Sequence, residues 1–293
     1  MIAPEIPVAG LGTVACVTTA SDMTGTDMTA RFRALHVPGQ PFLMPNPWDE
    51  GSAKALATLG FAALATTSSG FAATAGLVDG AVGAEAALEH AAAVALCVDI
   101  PVSADLEDGW GDEPEIVAST VTEAIEGGLA GCSIEDYSAG ADPEIHDIGL
   151  ATERIEAAAD AARSGRGLVL TARAENFIRG NPDLGDTIER LQAYQEAGAE
   201  VLYAPGLVDI ADIRSVVSSV DRPVNVLLMP GIAPIEELAE AGVARISVGG
   251  TFSAVAFGAL ARAARELKEQ GTYSFFELAR EGRDLTTKAF RLH

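Results

Sequence analysis

Pro101-Val-Ser-Ala-Asp105-Leu-Glu107-Asp108-Gly109-Trp-Gly111-Asp112 sets a short small-to-apolar run against a cluster of carboxylates and then opens into glycines. Such a run reads as a strand whose C-terminal tip carries acids, and clustered carboxylate oxygens suit a hard divalent cation. The pattern returns at Gly131-Cys-Ser-Ile-Glu135-Asp136, again with acids straight after the run. One helix-length segment separates the two, so they read as neighbouring strands of a parallel sheet whose tips can share one ion.

Working outward, the same alternation continues along the chain. Eight short runs read as strands: Phe42–Met44, Ala62–Thr66, Val102–Ala104, Gly131–Ile134, Leu168–Thr171, Val201–Tyr203, Val224–Leu228 and Arg245–Val248. Between and after them, segments with apolar residues at three-to-four spacing read as helices: Gly51–Leu59, Ala84–Val94, Ile116–Glu126, Glu153–Arg163, Thr187–Ala197, Asp209–Ser218, Pro234–Ala241 and Phe252–Lys268. Eight such pairs close most simply into a (β/α)₈ TIM barrel, and 293 residues is an ordinary size for one. An open dinucleotide-binding sheet is disfavoured, because Gly109-x-Gly111 lacks a third glycine and follows acids that would repel a pyrophosphate.

Two segments fall outside the repeat. Residues 1–28 hold no Lys or Arg and no apolar run long enough to span a membrane. They are expected to be a disordered tail, with the barrel domain covering 29–293. A further amphipathic helix, from about Ser274 to Arg291, is apolar enough to need a partner surface.

The formal charge of −23, with lysine only at positions 54, 268 and 288, argues against nucleic acid or an anionic membrane as partner. A Lys-poor acidic surface also suits a high-salt cytoplasm, and GC-rich codon usage would deplete lysine equally well. Cys16, Cys97 and Cys132 form no CxxC pair and suggest neither a disulfide framework nor a structural zinc site, so a cytoplasmic protein is expected.

Active sites of such barrels lie at the C-terminal strand ends. Those ends carry Asn46-Pro-Trp48-Asp49, Thr67-Ser68-Ser69-Gly70, Asp105-Leu-Glu107-Asp108, Glu135-Asp136, Arg173-Ala-Glu175-Asn176, Pro205-Gly206, Pro230-Gly231 and Gly249-Gly250. In this order the motifs resemble the isocitrate lyase and phosphoenolpyruvate mutase superfamily, from about Phe32 to Tyr273. The resemblance implies a (β/α)₈ barrel whose last helix is swapped between subunits, giving a homo-tetramer or dimer. It also implies that Asp105, Glu107 and Glu135 surround a Mg²⁺, with Mn²⁺ as the alternative ion, partly through water. The Ser69-Gly70 turn and Arg173 would hold a carboxylate or oxyanion of the substrate, and Asp79, in a glycine-flanked loop, matches an aspartate that closes over it. Catalytic roles thus fall to Arg173, Asp79 and Glu135, and substrate contacts to Trp48, Ser69, Gly70, Asp105, Arg173 and Asn225.

Several of these residues have a blander reading. The acids could cap helices, Trp48 could be core, Arg173 could pair only with Glu175, and Asn225 could be a buried amide satisfied by backbone. Asp136 could orient a ligand or pair with an arginine. His36, His90 and His293 read as surface residues, whereas His146 is a candidate general acid or base.

The chain also departs from the superfamily's familiar branches. The lyases carry a Lys-(Lys/Arg)-Cys-Gly-His segment after the Glu-Asp pair; here the segment is Tyr137-Ser-Ala-Gly-Ala-Asp142-Pro-Glu-Ile-His146, without a thiol. The mutases have a lysine directly after Glu-Asp, where Tyr137 stands. What remains is Mg²⁺-dependent carbon–carbon cleavage or decarboxylation of a small 2-oxo or 2-hydroxy dicarboxylate through an enolate. Carbon–phosphorus chemistry on a phosphonopyruvate-type substrate and a barrel that binds a carboxylate without turning it over are the alternatives.

Overall fold

The computed structural model describes residues 25–141 and 144–291. Eight parallel strands run β1 (Phe42–Met44), β2 (Leu64–Ala65), β3 (Val102–Asp105), β4 (Gly131–Glu135), β5 (Val169–Arg173), β6 (Val201–Tyr203), β7 (Val224–Leu227) and β8 (Arg245–Ser247). Their ladders follow the order β1-β8-β7-β6-β5-β4-β3-β2, and the Ala65 N–H donates to the Pro45 carbonyl at 3.2 Å to join β2 to the end of β1. The result is the (β/α)₈ barrel that the repeat predicts.

Helices α2 (Glu50–Thr58), α4 (Ala84–Leu96), α5 (Pro114–Glu126), α6 (Ile148–Ala162), α7 (Leu184–Glu196), α8 (Ile210–Ser219) and α9 (Ile235–Glu240) form the outer ring. Asp49, Asp147, Asp183 and Asp209 each accept a backbone N–H at a helix start, a cap worth about 1 kcal/mol. Part of the chain's acidity is therefore helix-capping chemistry.

Side chains alternate across each strand, and the two faces meet different partners. Outward-facing Leu64, Val102, Ala104, Cys132, Ile134, Leu170, Leu202, Val226 and Ile246 pack against the helices in one large apolar layer. A second, smaller core plugs the barrel's lower end, where Phe32 of α1 (Gly25–Leu35) meets Met44, Ala65, Val169 and Val201. Higher up, the interior is polar, with Ser103, Thr171, Asn225, Arg245 and Ser247 all buried. Interiors of this fold are usually filled by branched apolar side chains; here a cavity takes their place.

Several expectations need correction. The Thr67-Ser-Ser-Gly segment is the start of a short helix, α3 (Ser68–Thr74), with Thr67 as its N-cap. Helix α1 spans Gly25–Leu35; residues 1–24 lie outside the described ones, as does His293. His36 is buried against Phe32 and Phe42, and half-buried His90 stacks on Phe71 at 3.8 Å, so neither is a surface residue. Among the described residues no helix is long and apolar enough to cross a membrane.

Beyond β8 the chain runs through α10 (Thr251–Gln270), stops at the left-handed Gly271, and returns as α11 (Phe276–Ala289). Only Ser253 of α10 and Ala289 of α11 are buried, while Val255, Phe257, Leu260, Leu267, Phe276 and Leu278 are exposed. The end of α11 comes back to α2, where the Phe290 ring lies 3.7 Å from the position of a Gly51 β-carbon.

Candidate active site

The tips of β3, β4 and β5 carry Asp105, Glu135 and Arg173; ladder register sets Glu135 beside Arg173 and Asp105 beside Ser133, and the Arg173 side chain reaches across to Asp105. Arg173 Nη1 lies 2.9 Å from Asp105 Oδ1, and Nη2 lies 2.9 Å from both Glu135 Oε2 and Glu175 Oε1. Its guanidinium therefore bridges three carboxylates rather than pairing with Glu175 alone. Burial works against the charge on Arg173, but Glu135, Glu175 and Asp105 more than offset it and raise its pKa well above the ordinary value.

Asp105 is anchored from the neighbouring strand. Its backbone N–H donates to Thr66 Oγ1 at 2.9 Å, and its Oδ2 accepts the Ser68 N–H at 3.1 Å. Glu107 follows in the left-handed region at φ 48°, a conformation that costs a non-glycine residue free energy and is held by the Glu135 N–H donating to its carbonyl. Its carboxyl is pushed up to about 7, first by burial and then by repulsion from Asp105, Asp79 and Asp108. Glu135 is pushed up too, chiefly by burial.

Two chambers meet at this wall. An inner cavity of about 170 Å³ runs down the barrel axis past Ser69, Asp105, Arg173, Tyr203, Asn225 and Arg245. An outer one of about 440 Å³ is bounded by Glu107, Trp110, Glu135, Tyr137 and Arg179. Ser68, Asp79 and Arg173 border both. Of the expected site residues, Ser69, Asp79, Asp105, Arg173 and Asn225 thus share the inner cavity, and Glu107 and Glu135 face the outer one. Trp48 and Gly70 pack on each other instead: a β-carbon at Gly70 would sit 3.0 Å from Trp48 Cβ and 2.6 Å from Thr67 Cγ2. Neither lines the cavity.

Asn225 is satisfied by side chains, not by backbone: its amide donates to Ser247 Oγ at 3.0 Å and accepts from Arg245 Nε at 2.9 Å. Asp136 takes the structural option, receiving Arg190 Nη1, the Tyr194 hydroxyl and the Glu175 N–H. His146 is buried, with Nε2 2.6 Å from Arg154 Nη1, and borders neither chamber. An arginine can only donate, so that nitrogen accepts and the ring stays neutral, in keeping with the lowered pKa that burial and Arg154 impose.

Arg179 is absent from the expected set although it contacts Glu135 and Glu175 at 3.2 Å and lies 3.5 Å over the Tyr137 ring. Its place in a loop four residues beyond Glu175 gave the one available signal, an acid–arginine pair at helical spacing.

Could these residues hold a divalent ion? Among the described residues no three side chains converge on one point, because Arg173 lies between Asp105 and Glu135. The donors are nevertheless all oxygen, and Asp105, Glu107, Glu135 and Glu175 face only Arg173 and Arg179. Once all four are ionised, that leaves a formal surplus of two negative charges, which fits a hard dication that keeps part of its water shell.

A family model described as phosphoenolpyruvate phosphomutase matches residues 32–268. A crystal structure from Burkholderia cenocepacia J2315, provisionally assigned as a lyase or mutase, shares 47% identity and superposes with a TM-score of 0.86 over 90% of this chain and 95% of that one. An uncharacterized protein of Mycobacterium tuberculosis is 36% identical over 81% of this chain and 89% of its own. Oxaloacetate decarboxylase 2 of Pseudomonas fluorescens is 30% identical over 56% of this chain and 57% of its own. The barrel, the acidic strand tips and these matches agree: the chain belongs to the phosphoenolpyruvate phosphomutase family, within the isocitrate lyase superfamily.

Proposed function

We propose that this protein is a Mg²⁺-dependent carbon–carbon lyase or decarboxylase acting on a small 2-oxo or 2-hydroxy dicarboxylate through an enolate. The observation that carries the reading is the shared wall of Asp105, Glu135 and Arg173, with its surplus negative charge, beside a loop that supplies no thiol. Cys132 faces the outer apolar layer and is fully buried, and Cys97, which caps the end of α4, borders neither chamber. Tyr137 occupies the position after Glu-Asp and lies under Arg179.

In this reading Asp105, Glu107 and Glu135 hold Mg²⁺, partly through water. When bound, the ion supplies a Lewis acid for the substrate's 2-oxo or 2-hydroxy oxygen. Arg173 orients the adjacent carboxylate by charge-assisted hydrogen bonds, while Asp105 and Glu175 keep its fork fixed. Ser69 faces the same cavity and offers a hydroxyl to a substrate oxygen. Asp79 sits on the exposed loop flanked by Gly76 and Gly80, both at positive φ, and raises the Glu107 pKa. In this reading it closes over the cavity mouth and excludes water.

The test is purified protein with Mg²⁺, offered oxaloacetate, substituted malates, methylisocitrate and phosphonopyruvate, with product masses measured. Pyruvate or a close relative is expected, with a loss of more than about 100-fold in Asp105→Ala and Glu135→Ala proteins or after EDTA. Unchanged turnover in those variants would sink the metal mechanism. Phosphate or phosphoenolpyruvate released from phosphonopyruvate would favour carbon–phosphorus chemistry instead.

We also infer that the exposed apolar faces of α10 and α11 are covered by a second copy of the chain, giving a dimer or tetramer. Residues 251–293 hold seven Lys/Arg and five Asp/Glu in a chain of formal charge −23, so the arm is apolar and mildly basic while the barrel is acidic. Such an arm complements the body of another copy.

A further inference from the structure

Arg245 is a buried charge in the barrel interior that the lyase reading leaves without a role. It opens β8, is 2% exposed, and borders the inner cavity. Its three nitrogens reach only neutral acceptors: Nε to Asn225 Oδ1 at 2.9 Å, Nη1 to His36 Nε2 at 3.2 Å and Nη2 to Thr171 Oγ1 at 3.1 Å. Among the described residues no carboxylate pairs with it. A guanidinium has five N–H groups, so these three bonds leave two to spare.

A buried charge without a counter-ion costs several kcal/mol, and a barrel could fill this place with an apolar side chain at no such cost. Burial lowers the Arg245 pKa to about 9, which still leaves the group protonated at neutral pH. The surroundings are built and not incidental. Asn225 is fixed by Ser247 as well as by Arg245, and His36 is fixed from below by the Phe32 carbonyl at 2.9 Å. Ladder register runs Arg173–Tyr203–Asn225–Arg245 across four adjacent strands. The tilt of barrel strands carries such a row from the strand-tip region toward the interior, so the two arginines border one cavity at different depths. Its 170 Å³ has room for several waters or a small diacid.

We propose that Arg245, with Asn225 and Ser247, forms a second anion subsite on the cavity floor that takes the distal carboxylate of the substrate and selects dicarboxylates long enough to reach it over shorter acids. This rests on the lyase reading only for the other end of the substrate, held at Arg173. The cost of an unpaired buried guanidinium is then recovered when the ligand's carboxylate arrives and its charge is matched.

The experiment is calorimetric titration in Mg²⁺ with two probes, oxalate and 3,3-difluorooxaloacetate, into wild type, Arg245→Met and Arg245→Lys. In this proposal oxalate, a two-carbon diacid, engages only the upper end, whereas the four-carbon diacid reaches the floor. The expected result is at least a tenfold loss of diacid affinity in Arg245→Met with less than a twofold change for oxalate, and a melting temperature of the ligand-free variant no lower than that of wild type. Arg245→Lys, which keeps the charge without the fork, should lose less than Arg245→Met, and it still reads the discrimination if Arg245→Met does not fold. Equal losses for both probes, no loss for either, or no binding to wild type would overturn the subsite. Selective diacid binding without turnover of any substrate would leave the subsite standing and remove the lyase reading.

Discussion

His36 shows how one side chain can tie the lower core to the cavity floor. Its Nδ1 bonds the Phe32 carbonyl, so that nitrogen carries the proton, and Nε2 is left to accept from Arg245. Burial, reinforced by Arg245 and Arg33, lowers its pKa to about 3. In the unfolded chain a histidine titrates near 6.5, so between those values the unfolded state binds the extra proton. The contribution of His36 is therefore complete above about pH 6.5 and is lost as pH falls toward 3. Between pH 7 and 5 the loss should be roughly 2 kcal/mol, from linkage over that interval. Urea denaturation of wild type and His36→Gln at both pH values isolates it, since the carboxylates common to both proteins cancel in the difference. If the two proteins lost stability in parallel, His36 would not be held neutral.

At the level of elements, α1 is a plug, and its fit is set by one missing methyl group. A β-carbon on Gly131 of β4 would lie 2.6 Å from Phe32 Cε1 and 2.9 Å from the Val169 carbonyl oxygen. Gly131→Ala should therefore cost about 1–3 kcal/mol by overpacking. Phe32→Leu in the same chain should recover part of that, giving a coupling of at least about 0.5 kcal/mol in a double-mutant cycle of urea midpoints; strictly additive costs would mean that α1 does not seat there. The eight strands are legible in the sequence because apolar runs ending in chemistry-bearing residues recur with helix-length gaps. The plug is not, since nothing in Thr29-Ala-Arg-Phe-Arg-Ala-Leu says that its apolar face meets the barrel bottom and not the outer layer, and His36 consequently reads as surface. Helix α3 is hidden for a different reason: Thr67-Ser-Ser-Gly is turn chemistry, and only the Thr67 cap shows that the turn continues as helix. Arg245 escapes because a charge opening the run Arg245-Ile-Ser-Val looks like a strand edge. Its partners Thr171, Asn225 and His36 are distant in sequence and meet it only when the barrel closes.

For the whole molecule, the sequence separates an acidic barrel from an apolar, mildly basic arm, and the structure leaves that arm mostly uncovered. Val255, Leu260 and Leu267 on α10 and Phe276 and Leu278 on α11 are each more than half exposed, an apolar surface that single-copy proteins rarely present. Each large side chain that another copy buried would contribute about 1.5–3 kcal/mol, so a handful could outweigh the free-energy cost of association and the mutual repulsion of two acidic bodies. Leu260→Asp together with Val255→Asp places two charges where that contact would form. These positions lie outside both chambers, so the barrel fold should survive, with an unchanged circular-dichroism spectrum. Sedimentation velocity should then show wild type as a dimer or tetramer and the double variant shifted toward monomer. A wild type that sediments as a monomer at tens of micromolar would refute the second-copy assignment. An oligomer that the variant leaves intact would move the interface to another face of the barrel.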